Sequence, residues 1–425
     1  MTDDILAHRE ERFETIQSFF MGRAKRNLVV TIKANIPGEN KNIIEAYLLV
    51  RLFKNMLIKS LSPTDTYDDD GPDGPMFVMA FRTGEAHEMK LKMIEIETHH
   101  PLGRFIDLDV YRFKEFSVSR VQVEQAPRTC YVCGEDARIC SKEKRHPTKE
   151  LIDYMKHHVF LHIKDVVGLL MDQAIMAELE LEDKFGLVTK LTQGSHPDMN
   201  YDVMIKAKEA ILPYLTLTFE KGFFAKDLTT LLNETRHIGI EAEQQMMRAT
   251  NGINAYKGLI FVLGIFALAT GYTIANTDDI GLTFYHAKVI CHNILKDFER
   301  PLSTYGYNAY VNYHIFGVRG ESHQGFPAVR NTLGIIQGRK ITDDLLRRAL
   351  KDLILMTDDT VLLKRAGSIG NYFRIKDRIK ALDMGDMKAV KAFTTYAIKN
   401  DLSFGGSADL LIAVVYMKLL QDTLF

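Results

Sequence analysis

The sequence predicts a chain in two parts, an α+β domain followed by an all-α helical domain. Short runs rich in β-branched and aromatic residues are confined to the stretch before residue 124. From Thr148 onward helical periods dominate and no convincing strand is found. Between them, a cysteine-bearing segment at 128–146 marks the change of texture. A chain of 425 residues is long enough for two or three domains, each with a real core.

In chain order, residues 3–22 read as an amphipathic helix, with Ile5, Phe13, Ile16 and Phe20 spaced along one face. Residues 27–36 read as a buried strand through Val29, Val30 and Ile32, ending where Pro37-Gly38 forces a turn. A second helix is expected at 41–60, and the acidic stretch Asp65–Asp73 as a loop. Strands are expected at 76–82, 90–97, 104–111 and 116–123, in a mixed or antiparallel sheet. Helices follow at 149–182, 201–218, 222–245, 255–275, 281–297, 341–355, 386–399 and 407–422. The domain boundary falls near 147–165, giving domains 1–155 and 156–425. The run Gly258–Gly271 is apolar nearly throughout, but it stops short of the roughly 20 residues a membrane span needs and reads as a helix buried on all sides.

A net charge of -1 removes the electrostatic case for nucleic-acid binding. Four cysteines are too few for a disulfide scaffold. With the acidic opening Met1-Thr2-Asp3-Asp4 and no leader, they read as reduced thiols of a cytoplasmic protein with no membrane partner.

Asp107 and Asp109 stand two apart on an expected strand, so both carboxylates point to one face. Side by side they repel, and a hard Mg²⁺ bridging them to phosphate oxygens relieves that repulsion. A solvated acidic face fits the same pattern; the cations Arg104, Arg120 and Arg128 nearby bring the metal reading level with it. Cys130, Cys133, Cys140 and His146 offer a Cys₃His set for Zn²⁺, the alternative being unligated thiols. A zinc-deaminase pattern fails, because the sole His-x-Glu, at His8 and Glu10, lies far upstream.

Taken in order, Asn35-Ile36-Pro37-Gly38 with Lys41, Gly103-Arg104, Asp107-Leu108-Asp109-Val110, Ser119-Arg120, Pro127-Arg128, Cys130, Cys133, Ala137, Cys140 and Arg145-His146 resemble the apo-citrate lyase phosphoribosyl-dephospho-CoA transferases. The resemblance covers about residues 10–155 and implies an α+β nucleotidyltransferase-like domain. It implies transfer of a phosphoribosyl-dephospho-CoA group onto a serine of the acyl carrier (gamma) subunit of citrate lyase, releasing pyrophosphate. Asp107 and Asp109 would then hold Mg²⁺.

The second half carries glycine-bearing motifs, each with a charged or hydroxyl group. Asp198 after Gly194-Ser195-His196-Pro197 suits a helix cap. Lys257, after Asn251-Gly252-Ile253-Asn254, opens the apolar helix and suits phosphate. Arg319-Gly320-Glu321 pairs a phosphate clamp with a carboxylate, and Asp358-Asp359-Thr360 before Lys364-Arg365 repeats the combination. Ser407 is placed to cap the last helix, with Asp409 in its first turn. A purely structural role is open to each run alone. Together, Lys184-Phe185-Gly186-Leu187-Val188, His196 with Asp198, Asn254 with Lys257, Arg319-Gly320-Glu321 through Gly325-Phe326-Pro327, Asp359-Thr360 and Gly405-Gly406-Ser407-Ala408-Asp409 resemble the triphosphoribosyl-dephospho-CoA synthases over about residues 165–420. That implies joining ATP and 3′-dephospho-CoA with loss of adenine, a glycosyl transfer through an oxocarbenium-like centre.

From residue type, Lys257 and Arg319 fall to phosphate, with Lys184, Asn254, Gly405, Gly406 and Ser407 as further substrate-binding candidates. Asp198, Glu321 and Asp409 are the carboxylate candidates, and His196 the acid. The chain departs from that family at Phe185 and Phe404, where proline is usual. It departs again at Ala255-Tyr256, Tyr305, Tyr307 and Asp358, where the usual residues include histidines. The resemblances together imply a bifunctional enzyme in which the second half's product is the first half's substrate. One competing reading leaves the second half a silent nucleotide-binding module; another makes the chain a zinc-stapled adaptor of the carrier subunit.

Overall fold

The computed structural model describes residues 3–21, 27–113, 117–299 and 304–425. Its contacts divide the chain into two compact units, Met1–Ile163 with Asp422–Phe425, and Lys164–Gln421.

The first unit is built on a four-stranded antiparallel sheet of order β2-β3-β1-β4, formed by β1 Leu28–Ala34, β2 Asp65–Asp69, β3 Met76–Phe81 and β4 Ile106–Tyr111. Helices α1 Asp3–Met21, α2 Ile44–Leu61 and α3 Ala86–His99 pack on it. Ile16 and Phe20 of α1 lie against Val29, Val78 and Ala80 on one sheet face; of the stripe expected from the sequence these two build this core, Ile5 is buried outside it, and Phe13 is exposed. A short α4 Ala137–Lys142 carries Cys140, and α5 Thr148–Leu179 runs on into the second unit.

Two elements of this unit differ from expectation. Asp65–Asp69 is an edge strand and not a loop: it pairs with β3 through its backbone, and acidic side chains suit an unpaired outer edge. Residues 90–97 are helical and not a strand. The alternation Lys90-Leu91-Lys92-Met93 imitates a period of two, yet the buried set Ala86, Lys90, Met93, Ile94 and Glu97 has helical spacing. The strand expected at 116–123 begins at Phe116, outside the described residues; Ser117 makes an isolated bridge to Tyr111, and Val121–Val123 is a 3₁₀ turn.

The second unit is helical, with no strand among its described residues. It contains α6 Tyr201–Phe223, α7 Leu228–Ala249, α8 Lys257–Asn276, α9 Thr283–Ile290, α10 Tyr305–Tyr313, α11 Gly317–His323, α12 Pro327–Ile336, α13 Asp343–Met356, α14 Thr360–Ala366, α15 Ile369–Ala381, α16 Met387–Lys399 and α17 Gly405–Leu424. The helix expected at 281–297 is broken, because α9 ends at Ile290 and only a 3₁₀ segment, Ile294–Glu299, follows. Helices α10, α11, α12 and α14, of seven to ten residues, and the longer α15 were not expected from the sequence. Helix α8 is long and apolar enough to cross a membrane, but most of it is buried within the unit, as expected for a core helix.

Candidate active sites

In the first unit the sheet register decides which side chains meet. Lys33 of β1 lies opposite Asp107 of β4, and Thr31 opposite Asp109. Alternation therefore puts all four on one face, while Ile106, Leu108 and Val110 are buried on the other.

Around this face the structure gathers the expected arginines on a residue the sequence reading missed. Glu97 of α3 has a fully buried carboxylate that accepts from Leu108 N at 2.8 Å, from Arg120 at 2.6 Å and from Arg128. Arg128 also binds Asp107, and Arg104 donates to the Thr129 carbonyl. Burial holds the Asp107 carboxyl above its ordinary range, opposed by Arg128 and reinforced by Asp109 and Glu97. Burial, with Arg128 and Arg120 beside it, pulls the Arg104 guanidinium down, and its Nε has no protein partner. Lys41 is lowered by burial, with Lys33 and Arg9 adding to that, and feels the charges of Asp73 and Asp107.

Asp73 is a second missed acid. It is 1 % exposed and bound by Arg9 at 2.8 Å, by Arg12 and by Lys33. Burial alone would raise its pKa, but Arg9 and Lys33 outweigh that and bring it down to about 2. The only signal for it was one acid in Gly71-Pro72-Asp73-Gly74, indistinguishable in sequence from a solvated turn.

The ligand atoms of Cys130, Cys133, Cys140 and His146 lie within 4.8 Å of one another. Cys130 and Cys133 flank a knuckle closed by Gly134 N to Cys130 O at 2.9 Å, and Cys140 comes from α4. His146 turns Nδ1 to Glu150 at 3.5 Å and leaves Nε2 buried without a partner. A carboxylate behind one ring nitrogen and a free second nitrogen is how a metal-ligating histidine is held. The set fits a tetrahedral ion such as zinc.

In the second unit a cavity of about 420 Å³ brings together His196, Asp198, Asn254, Lys257, Gly405 and Asp409. Its walls come from the end of α5, the loops before α6 and α8, α14, and the start of α17. Glu178, Lys364 and Arg365 join them. Asp409 is pushed well above the usual carboxylate range by burial and by Asp359 and Glu178. Its carboxylate lies against Gly258, where a Cβ would sit 2.0 Å from Oδ2; glycine there lets α8 reach it. His196 receives a hydrogen bond from Arg365 on Nδ1 (3.4 Å), which leaves its proton on Nε2 to donate to Ser403 Oγ at 2.9 Å. Burial and Arg365 lower its pKa, so the ring is neutral at pH 7 and suits a hydrogen-bonding or basic role better than the acid role expected.

Other expected residues are engaged elsewhere. Lys184 is fully buried and donates to Glu178 Oε1 at 2.7 Å and to its carbonyl at 2.6 Å, which neutralises a carboxylate of the cavity wall. Ser407 donates its N–H (2.8 Å) and hydroxyl (2.9 Å) to Asp359, which also caps α14; the two helix starts are tied together there. Gly406 packs on that same carboxylate. Glu321 accepts from Ala328 N at 3.2 Å at the start of α12 and lines neither large cavity. Arg319 lines a second cavity of about 470 Å³, which shares Lys257 and Gly258 with the first.

Four of the departures fall into two groups. Phe185 and Phe404 are fully buried and in contact, ring centroids 6.3 Å apart, so they act as one core pair. Phe185 has φ 59°, which proline cannot adopt. Tyr256 and Tyr305 line the first cavity, and the buried Tyr256 hydroxyl has no protein partner.

Residues 1–160 match the family described as apo-citrate lyase phosphoribosyl-dephospho-CoA transferase, and residues 164–424 the family described as ATP:dephospho-CoA triphosphoribosyl transferase. Protein CitXG of Haemophilus influenzae is 30% identical, over 97% of this chain and 94% of its own length. Protein CitXG of Leuconostoc mesenteroides subsp. cremoris is also 30% identical, over 99% and 97%. The 2-(5′′-triphosphoribosyl)-3′-dephosphocoenzyme-A synthase of Haemophilus ducreyi is 28% identical over 67% of this chain and 98% of its own length. With both matches in tandem and full-length relatives, this chain belongs to the CitXG family of fused transferases that make and attach the citrate lyase prosthetic group.

Proposed function

We propose that the 420 Å³ cavity of the helical unit is where adenine is displaced from ATP by a ribose hydroxyl of dephospho-CoA. The observation that carries this is that Asp409 and Glu178 line one cavity together with Lys364, Arg365 and Lys257. Asp409 faces the positive charge that develops at the ribose C1′, Glu178 is held in the wall by Lys184, and the cations hold the triphosphate. The C1′–N bond to adenine breaks as the C1′–O bond to the acceptor forms. Asp409, whose proton affinity burial has raised, takes the hydroxyl proton; adenine gains one proton on leaving, which balances the step. Tyr256 replaces the usual histidine as a donor within the cavity.

The first unit transfers phosphoribosyl-dephospho-CoA to a serine of the acyl carrier subunit and releases pyrophosphate, on a nucleotidyltransferase-like sheet. Lys33, Lys41 and Arg104 bind phosphate; Arg120 and Arg128 anchor the site through Glu97. Asp107 and Asp109, two half-buried carboxylates on one strand face, suit a hard cation, and Mg²⁺ held there would neutralise the leaving pyrophosphate. The Cys₃His set would hold zinc as a structural staple, which also secures the loop carrying Arg128. We assign the two activities to residues 1–155 and 156–425; the family matches and the division of contacts at Ile163 support this. Such chemistry on metabolic nucleotides is that of a cytoplasmic enzyme.

The test is adenine release, followed by chromatography, from the purified chain given Mg-ATP with and without 3′-dephospho-CoA. Release that requires dephospho-CoA is expected; a folded protein that releases none overturns the assignment.

A further inference from the structure

The second cavity of the helical unit, about 470 Å³, lies among α6, α7 and α8. Its wall is apolar, formed by side chains such as Leu232, Ile260, Phe261, Ile265 and Leu268. The lining threonines add little polarity, because Thr218 and Thr235 donate to carbonyls of their own helices at 2.7 Å. At its charged side stand Arg236, Arg319 and Lys257; among the described lining residues the one carboxylate is Glu243, which pairs with Lys257 at 2.6 Å. Asp297 fixes both arginines, at 3.0 and 3.4 Å.

Two glycines show that the space is kept open by the sequence. Gly239 of α7 and Gly264 of α8 both line it from helix interiors, where glycine is the poorest helix former after proline. Neither has the positive φ that would require glycine. A Cβ on Gly264 would meet nothing within 4 Å, and one on Gly239 only Ile260 Cγ2 at 3.9 Å. Elsewhere on these helices glycine has a packing reason: a Cβ on Gly222 or Gly271 would strike facing backbone at 2.2 and 2.3 Å. Gly239 and Gly264 have no such reason, and what they leave is volume.

We infer that this cavity is the acceptor subsite, holding the pantetheine arm of dephospho-CoA, with its diphosphate at Arg236, Arg319 and Lys257. The inference rests on the first cavity being the site of adenine displacement. The arm is long, unbranched over much of its length and uncharged, which matches an apolar space of this size; the diphosphate that joins it to the ribose matches the cations. Lys257 and Gly258 belong to both cavities, so a ligand with its arm in one presents its ribose hydroxyl to Asp409 in the other. Arg319 then binds the acceptor's diphosphate, not the triphosphate of ATP.

The experiment fills the space. In the full chain, Gly264→Leu adds a side chain at a lining position where a Cβ meets nothing within 4 Å, and Gly239→Leu does so from α7, where a Cβ meets only Ile260 at 3.9 Å. Adenine release is measured with ATP and, as acceptor, either dephospho-CoA or ADP, which keeps the ribose and diphosphate but lacks the arm. The expected result is a KM for dephospho-CoA raised tenfold or more, a KM for ATP within twofold of wild type, and unchanged use of ADP. Raised KM for ATP, equal losses with both acceptors, or unaltered kinetics would overturn the inference. Circular dichroism melting shows that each variant is folded, and the two glycines supply independent tests should one variant fail to fold. Wild-type protein that shows no dephospho-CoA-dependent release refutes the displacement reading itself; active wild type with insensitive variants refutes only the acceptor subsite.

Discussion

Asp409 carries a carboxylate that burial, Asp359 and Glu178 all push toward its protonated form. A carboxyl raised above its unfolded value destabilises the fold as pH climbs from that unfolded value upward, because the native state must then ionise in an unfavourable place. Asp409→Asn removes that penalty at pH 7. The expected outcome is a melting temperature of the helical unit higher by about 2–4 °C and adenine release lower by on the order of 100-fold or more. A variant that loses activity because it melts earlier would assign Asp409 to structure. Tyr256 separates the same two roles differently. Its hydroxyl is buried without a protein partner, so Tyr256→Phe leaves stability unchanged or slightly improved. Turnover should drop about tenfold, the worth of one hydrogen bond to substrate; unchanged turnover with both substrates saturating would remove it from the site. The motif residues Asp198, Asn254, Lys257 and Asp409 were legible in sequence because glycine and charge coincide there. Glu178 was not: it lies inside the long α5 and is marked only by its buried partner Lys184, which a linear reading took for a phosphate ligand.

At the scale of elements, the Asp73 turn shows how much rests on one loop. Arg9 and Arg12 of α1 and Lys33 of β1 converge on its carboxylate, pinning the helix to the sheet. Asp73→Asn leaves those cations around a neutral amide and should destabilise the first unit by about 3–5 kcal/mol, read from denaturant unfolding. The pH dependence follows from the sign of the shift. The folded pKa, about 2, is below the unfolded value near 3.8, so the contribution is complete above about pH 5 and lost as pH falls from 4 to 2. Acid unfolding of wild type in that window, and its absence from the Asp73→Asn variant's already weakened profile, is the expected pair of curves. The cysteine knuckle makes a separate statement. Cys133→Ser should reduce zinc, measured by elemental analysis, from about one ion per chain to none, and lower the melting temperature of the first unit. Wild-type protein purified without chelator and free of zinc would leave these thiols unligated. Cys-x₂-Cys spacing was readable in the chain, whereas the approach of Cys140 and His146 depended on α4 and the turn after it. The misread α3 and β2 have one cause: period and polarity along a short stretch do not say which residues are buried, and burial is settled by what packs above them.

At the scale of the whole molecule, two transferases share one chain, and their candidate sites are built from separate units. The double variant Asp107→Asn/Asp109→Asn should therefore lower transfer to the carrier subunit by on the order of 100-fold while adenine release stays at the wild-type rate. Loss of both activities would show that the sites are not independent. Fusion raises the local concentration of the intermediate at the second site, which favours its use over escape.

By itself the sequence determined the two-part architecture, the strand that presents Asp107 and Asp109, the buried core helix α8 and the motif set of each transferase. These depend on periodicity, glycine placement and residue type, which are properties of neighbours in the chain. The tertiary structure decided which charges meet. Glu97 and Asp73 became anchors, Lys184 and Ser407 became partners of buried carboxylates, and Arg319 was separated from Asp409 into a second cavity. The reason is physical: the role of an ionisable side chain is set by burial and by the charges within a few ångströms of it. Those neighbours come from strands and helices far apart in sequence.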